Sequence, residues 1–189
     1  MRICVFCSSS DAVDRVFLDA AFEMGTLIAQ GGHSLVFGGG RVGLMGAVAR
    51  GVHAEGGRVI GIIPTFMNRP GVPYLECDEL VFTRDMRDRK ARMMEMAEAF
   101  IALPGGFGTL EEMSEVITQK QFDFVKAPLV AVNTRGFYDR LAELFEVFYA
   151  ERFAKPAFRA TCPFVAGPAE AMAYIRGYRP PESTSKWFT

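Results

Sequence analysis

Histidine is scarce in this sequence: only His33 and His53 occur in 189 residues, and they stand far apart. Without a His cluster, the four cysteines (Cys4, Cys7, Cys77 and Cys162) have nothing with which to complete a metal site. Cys4 and Cys7 have C-x-x-C spacing, but they fall in an apolar run that reads as a β-strand. There an odd offset points the two side chains to opposite faces, so buried structural thiols are expected rather than a redox or metal pair. A charge excess is missing too. The formal net charge is -1, which excludes a nucleic-acid or membrane surface built on bulk electrostatics. No uninterrupted apolar stretch is long enough to span a bilayer. The opening "MRICVFCSSS" has too short an apolar run for a signal peptide with its cleavage site, so a cytoplasmic protein is expected. No solenoid-type repeat and no domain linker interrupts the chain.

What is present is alternation. Short apolar runs at 3–7, 34–39, 58–64, 79–83, 100–104, 128–133 and near 161–166 read as strands. Between them, helical periodicity covers about 14–30, 43–56, 86–99, the stretch to Phe122, 136–153 and 168–177. Nearly continuous apolar strands alternating with helices predict an α/β fold: a Rossmann-like, doubly wound, mostly parallel sheet with helices on both faces. Residues 1–178 are expected to form one nucleotide-binding domain, and 179–189 ("RPPESTSKWFT") a loosely ordered tail. In such folds ligands bind beyond the carboxyl ends of the strands, near the switch point of the strand order. Three loops qualify: "CSSS" (7–10), "GGGRVGLMG" (38–46) and "PGGFGT" (104–109).

Gly38, Gly40 and Gly43 carry G-x-G-x-x-G spacing, a weak dinucleotide signal by itself. It follows the second strand rather than the first, and the third strand ends in "GIIP" with no carboxylate for a ribose, which disfavours NAD. These glycines fit either tight strand–helix packing or close approach to a nucleotide, with Gly39, Gly40 and Gly43 as binding candidates. "PGGFGT" is more telling. Its glycines allow a left-handed nest of amides, the following helix adds its positive end, and Thr109 adds a hydroxyl. No Lys follows the last glycine, so it is not a nucleoside-triphosphate loop. The plainer alternative is a capped turn in which Thr109 and Glu112 form a capping box. Ser8, Ser9 and Ser10 form either a polar turn or further nucleotide contacts. Met93, Met94 and Met96 are read as packing residues, and the charges of "RDMRDRKAR" as mostly solvated.

"PGGFGTLEE" (104–112) matches the P-G-G-x-G-T-x-x-E motif of the LONELY GUY family, the cytokinin riboside 5′-monophosphate phosphoribohydrolases. The resemblance continues through "GGGRVGLMGAVA", "GRVIGIIP", "DMRDRKARM", "AFIALPGGFGTLEE" and "EVIT", and covers most of residues 1–153. Members often carry the label lysine decarboxylase, yet no motif here places a Schiff-base Lys in a pyridoxal phosphate pocket. The resemblance implies hydrolysis of the N-glycosidic bond of a nucleoside 5′-monophosphate, without a cofactor or metal. It implies Arg89 and Glu112 as the catalytic pair. Lys90, Pro104, Gly105, Gly106, Phe107, Gly108, Thr109, Leu110, Glu111 and Thr118 are the implied substrate contacts, and Met86, at the head of the "MRDRKARM" segment, joins them. A homodimer, or an assembly of dimers, is implied as well. This chain departs from the family pattern at Ser8, which replaces Gly in C-G-S-S. It departs again at Gln119, Val125 and Ala127, which replace Trp, His and Lys after "EVIT". These departures leave the choice among adenosine monophosphate, its N6-prenylated form and another nucleotide open. Two other readings compete: a non-catalytic protein that binds a nucleotide or phosphorylated ligand, and an NAD-dependent oxidoreductase.

Overall fold

A computed structural model describes residues 1–181 and 186–187. In these residues seven strands form one sheet: β1 (Arg2–Phe6), β2 (Ser34–Phe37), β3 (Val59–Pro64), β4 (Glu79–Thr83), β5 (Ala99–Ala102), β6 (Leu129–Val132) and β7 (Phe164–Val165). Their order is β4-β3-β2-β1-β5-β6-β7, and every pairing is parallel. The chain winds outward from β1 to β4, then returns to place β5 on the other side of β1. The switch point therefore lies between β1 and β5, where Ser8 N–H donates to Pro104 O at 3.2 Å.

Among the described residues six α-helices cover the two faces: α1 (Arg15–Gln30), α2 (Gly43–Ala54), α3 (Met86–Met96), α4 (Phe107–Gln121), α5 (Asp139–Ala150) and α6 (Pro168–Gly177). Alternate residues of each strand sort into two cores. Ile3, Val5, Cys7, Leu35 and Phe37 pack with Met24, Ile28, Leu44, Val48 and Met172, from α1, α2 and α6. Cys4, Phe6, Val36, Ile62 and Phe100 pack with Met93, Met113 and Val116, from α3 and α4. Cys4 and Cys7 are thus buried on opposite faces, and burial pushes both thiols above their ordinary range. Met93 is buried, and Met94 and Met96 pack against the same core, as their reading as packing residues requires.

Several boundaries differ from the sequence expectation. Helix α3 stops at Met96 because Ala97 turns extended, with ψ 137°. Helix α5 starts at Asp139 rather than 136, because Arg135 and Gly136 both take positive φ (57° and 71°). Asn133 Oδ1 accepts the Tyr138 N–H at 2.6 Å and fixes that turn. The last strand shrinks to two residues behind a 3-10 turn at Pro156–Thr161. Of the expected loose tail, 179–181 has no regular structure, while 182–185 and 188–189 lie outside the described residues. No helix among the described residues is long and apolar enough to cross a membrane.

Candidate active site

Four residues separate helix α4 from β5, and Gly106, Gly108 and Thr109 at its start line the cleft at the switch point. Its N-cap is Gly106, which offers no side-chain acceptor, so the amides of the first turn have neither an intrahelical partner nor a capping side chain. The capping box of the plainer alternative does not form. Thr109 is the third residue of the helix, not its cap, and Glu112 lies in the second turn rather than the first. The expected left-handed nest is absent as well, because Gly105, Gly106 and Gly108 all avoid positive φ.

Other reasons require glycine in this loop. A Cβ on Gly105 would sit 2.1 Å from Thr109 Oγ1, so that glycine admits the threonine side chain. A Cβ on Gly106 or Gly108 would meet no protein atom within 4 Å, and both residues line the cleft. These two glycines leave the helix end bare for a ligand. Gly108→Ala is expected to raise stability by up to about 1 kcal/mol, since alanine is the better helix former. The same change is expected to weaken phosphate-ester binding about ten-fold by filling the approach to the amides. Thermal denaturation and KM measured on one preparation check both halves; an unchanged KM would show that no ligand approaches there.

The cleft floor is ionic. Arg89 and Glu112 are each about 5 % exposed, and Arg89 Nη1 donates to Glu112 Oε1 at 3.0 Å. Arg89 Nε donates to Ile62 O at 3.1 Å, which fixes the guanidinium against the end of β3. Gly38 makes the room: a Cβ there would lie 1.7 Å from an Arg89 terminal nitrogen. Arg89 is therefore an exception to the solvated charges expected of its segment, and the largely buried Lys90 is another. Burial raises the Glu112 carboxyl above the ordinary glutamate range, and the Arg89 guanidinium opposes that rise in part. Beside the cleft, Lys90 pairs with Glu111 and with Glu115 (3.0 Å); the Glu111 bond holds its ammonium above the ordinary range.

The cleft encloses about 430 Å³, within the usual range for small-molecule sites. It brings together Ser8, Ser9, Gly40, Met86, Arg89, Gly106, Gly108, Thr109, Glu111 and Glu112 from the sequence-derived set. Pro104 and Gly105 instead line an adjoining apolar cavity of about 200 Å³ with Phe17, Leu44 and Phe137. Gly39, at φ 71°, backs onto Ile62 and Ile63, and Gly43 is bonded to Asp11; neither lines the cleft. Phe107 is almost wholly exposed, and Leu110 and Thr118 are exposed on α4 away from the lining. The Thr118 hydroxyl turns back to Ser114 O at 2.9 Å.

The cleft also contains residues outside the sequence-predicted set, among them Met45, Met67, Gly71 and Val72. The last three belong to the proline-rich loop after β3, which is clamped over the glycine loop. Arg41 N–H donates to Val72 O at 2.9 Å, and Tyr74 N–H to Gly39 O at 2.8 Å.

A protein-family profile described as "Possible lysine decarboxylase" matches residues 45–175. The chain is 38% identical over 187 residues to the cytokinin riboside 5′-monophosphate phosphoribohydrolase LOG7 of Arabidopsis thaliana, covering 98% of this chain and 86% of that one. It is 43% identical over 152 residues to LOG of Oryza sativa subsp. japonica, another cytokinin riboside 5′-monophosphate phosphoribohydrolase, covering 80% and 63%. Among solved structures, the molybdenum cofactor carrier protein of Chlamydomonas reinhardtii shares the fold, with a TM-score of 0.72 at 22% identity over 93% and 95% of the two chains. With its sheet order, its P-G-G-x-G-T-x-x-E helix start and these relatives, the chain belongs to the LOG family.

Proposed function

We propose that this protein is a phosphoribohydrolase that cleaves the N-glycosidic bond of an adenine or N6-modified adenine nucleoside 5′-monophosphate to free base and ribose 5-phosphate. One observation carries the reading: the buried Arg89–Glu112 pair shares a cleft with the bare amide end of α4. The relatives named phosphoribohydrolases support the same reaction class. The 5′-phosphate seats on the α4 amides and the Thr109 hydroxyl, where the helix dipole favours an anion. That anchor places the ribose over Glu112, so binding energy from the unreactive phosphate positions the reacting carbon.

As the C1′–N bond breaks, its electron pair leaves with the base and positive charge builds on the sugar. The Glu112 carboxylate stabilises that charge and accepts a proton from the attacking water. Water oxygen bonds to C1′, and the proton passes on to the departing base. A raised carboxyl pKa suits this role, because a base poised nearer to neutrality accepts a proton more readily. Arg89 keeps Glu112 oriented and offers its remaining N–H groups to ribose or phosphate oxygens.

The test is to incubate the purified protein with adenosine monophosphate and with its isopentenylated form, then to separate the products by chromatography. Free base and ribose 5-phosphate in equal amounts are expected. Saturable nucleotide binding with no product after long incubation would overturn the reaction in favour of a non-catalytic ligand-binding protein.

A further inference from the structure

Two glycine-rich loops open helices at this cleft, and they differ in one respect. The start of α4 is bare, whereas the start of α2 is already occupied by an anion from the chain itself. Val42, the N-cap of α2, offers no side-chain acceptor. Instead Gly43 N–H donates to Asp11 Oδ1 at 2.6 Å. Two neighbouring donors are engaged as well, Met45 N–H to Ser8 O at 3.2 Å and, just ahead of the cap, Arg41 N–H to Val72 O at 2.9 Å. Only glycine allows the approach: Gly43 has φ 63°, and a Cβ there would lie 2.6 Å from Ser10 N. The turn carrying Asp11 is itself braced, by Ser10 N–H to Ser8 Oγ (3.0 Å) and Ala12 N–H to Ser10 Oγ (3.2 Å). Ser10 and Val42, which flank this contact, line the same cleft as Gly106 and Gly108.

We infer that Asp11 is a specificity-determining residue that restricts the cleft to nucleotides bearing a single phosphate. The inference rests on the proposal that the 5′-phosphate seats on α4. A nucleoside diphosphate or a dinucleotide carries a second phosphate that needs its own donors. The other helix start offers it a carboxylate already bonded to the first amide, so the second phosphate meets repulsion where a bare helix end would give a bond. This also accounts for a G-x-G-x-x-G spacing that signals no dinucleotide: the chain fills the anion position with its own side chain.

The experiment uses the full chain and formycin 5′-monophosphate and 5′-diphosphate, whose carbon–carbon glycosidic bond resists hydrolysis. Affinities are measured by calorimetry for the wild type and for Asp11→Asn. The asparagine keeps an oxygen acceptor for Gly43 N–H and removes only the charge, so the fold is retained. The wild type is expected to prefer the monophosphate by about ten-fold or more. Asp11→Asn is expected to narrow that preference about five-fold by gaining affinity for the diphosphate, with the monophosphate changed less than about two-fold. An indifferent wild type, or an unchanged preference in Asp11→Asn, overturns the inference. Failure of both analogues to bind overturns it together with the nucleotide reading. Binding that follows the expected ratio, in a protein that releases no base from adenosine monophosphate, upholds the inference and removes only the reaction.

Discussion

Glu112→Gln is expected to lower kcat for base release by about a thousand-fold while leaving nucleotide affinity within a few-fold. Glutamine has the size of glutamate and retains an oxygen for the Arg89 hydrogen bond. What it loses is the negative charge that meets the developing sugar cation, together with the capacity to accept a proton from water. Loss in kcat with little change in KM is the signature of an interaction that matters in the transition state rather than in binding. The pH profile of the unmodified protein gives an independent reading. In the proposed reaction Glu112 has to be ionised, and burial lifts its carboxyl above the ordinary value of 4.5. Activity is therefore expected to fall on the acid side at a higher pH than an exposed glutamate would give, and the glutamine variant should lack that limb. An acid limb at the ordinary glutamate position, or a variant with full activity, would sink the assignment.

Much of the fold was legible because it depends on local patterns. Apolar runs of strand length alternating with helical periodicity specified each element, and the odd spacing of Cys4 and Cys7 was enough to put them on opposite faces. The parallel order followed from the alternation. The misplacements have a common cause: capping and left-handed residues are decided by contacts that periodicity does not encode. Thr109 followed by Glu112 has the spacing of a capping box, yet Gly106 starts the helix earlier because Gly105 admits the threonine side chain from the next turn. Positive φ falls not in "PGGFGT" but at Gly39 and Gly43, where backbone from other segments presses close. Arg135 and Gly136 shorten α5 through a turn held by the side chain of Asn133.

The site divides in the same way. Its motif residues were recognisable, but their roles depend on partners far away in sequence. Nothing local distinguishes Arg89 from the other charges of "RDMRDRKAR". Its burial arises from Glu112 on α4, Ile62 O on β3 and the space left by Gly38. Asp11 carried no signal at all, since its meaning lies in a helix start 32 residues away. Leu110 and Thr118 belong to the motif-derived set, but they lie on the exposed part of α4 because the helical period turns them away from Thr109 and Glu112.

Arg89→Ala is the sharper test of the buried pair, because it strands the carboxylate. In the unmodified protein the guanidinium partly offsets the cost of holding Glu112 charged away from water. Removing one partner of a buried ion pair typically costs about 3–5 kcal/mol, well above what loss of a surface charge does. The pH dependence identifies the source of that cost. The folded carboxyl titrates above its unfolded value, so its contribution to stability is fully present below 4.5 and is lost as pH rises through the raised folded value. Arg89 blunts that loss, and alanine removes the blunting. The deficit in Tm relative to wild type is therefore expected to be small near about pH 4 and to grow toward about pH 8. Activity should fall about a hundred-fold or more, with its acid limb displaced further upward, since a larger share of Glu112 is protonated at any given pH. Arg89→Lys separates charge from shape: a single ammonium cannot reproduce the fixed fork that reaches both Ile62 O and Glu112, so activity about ten-fold below wild type is expected. A Tm deficit independent of pH would mean that the loss is one of packing, and that Glu112 does not depend on its partner for its charge.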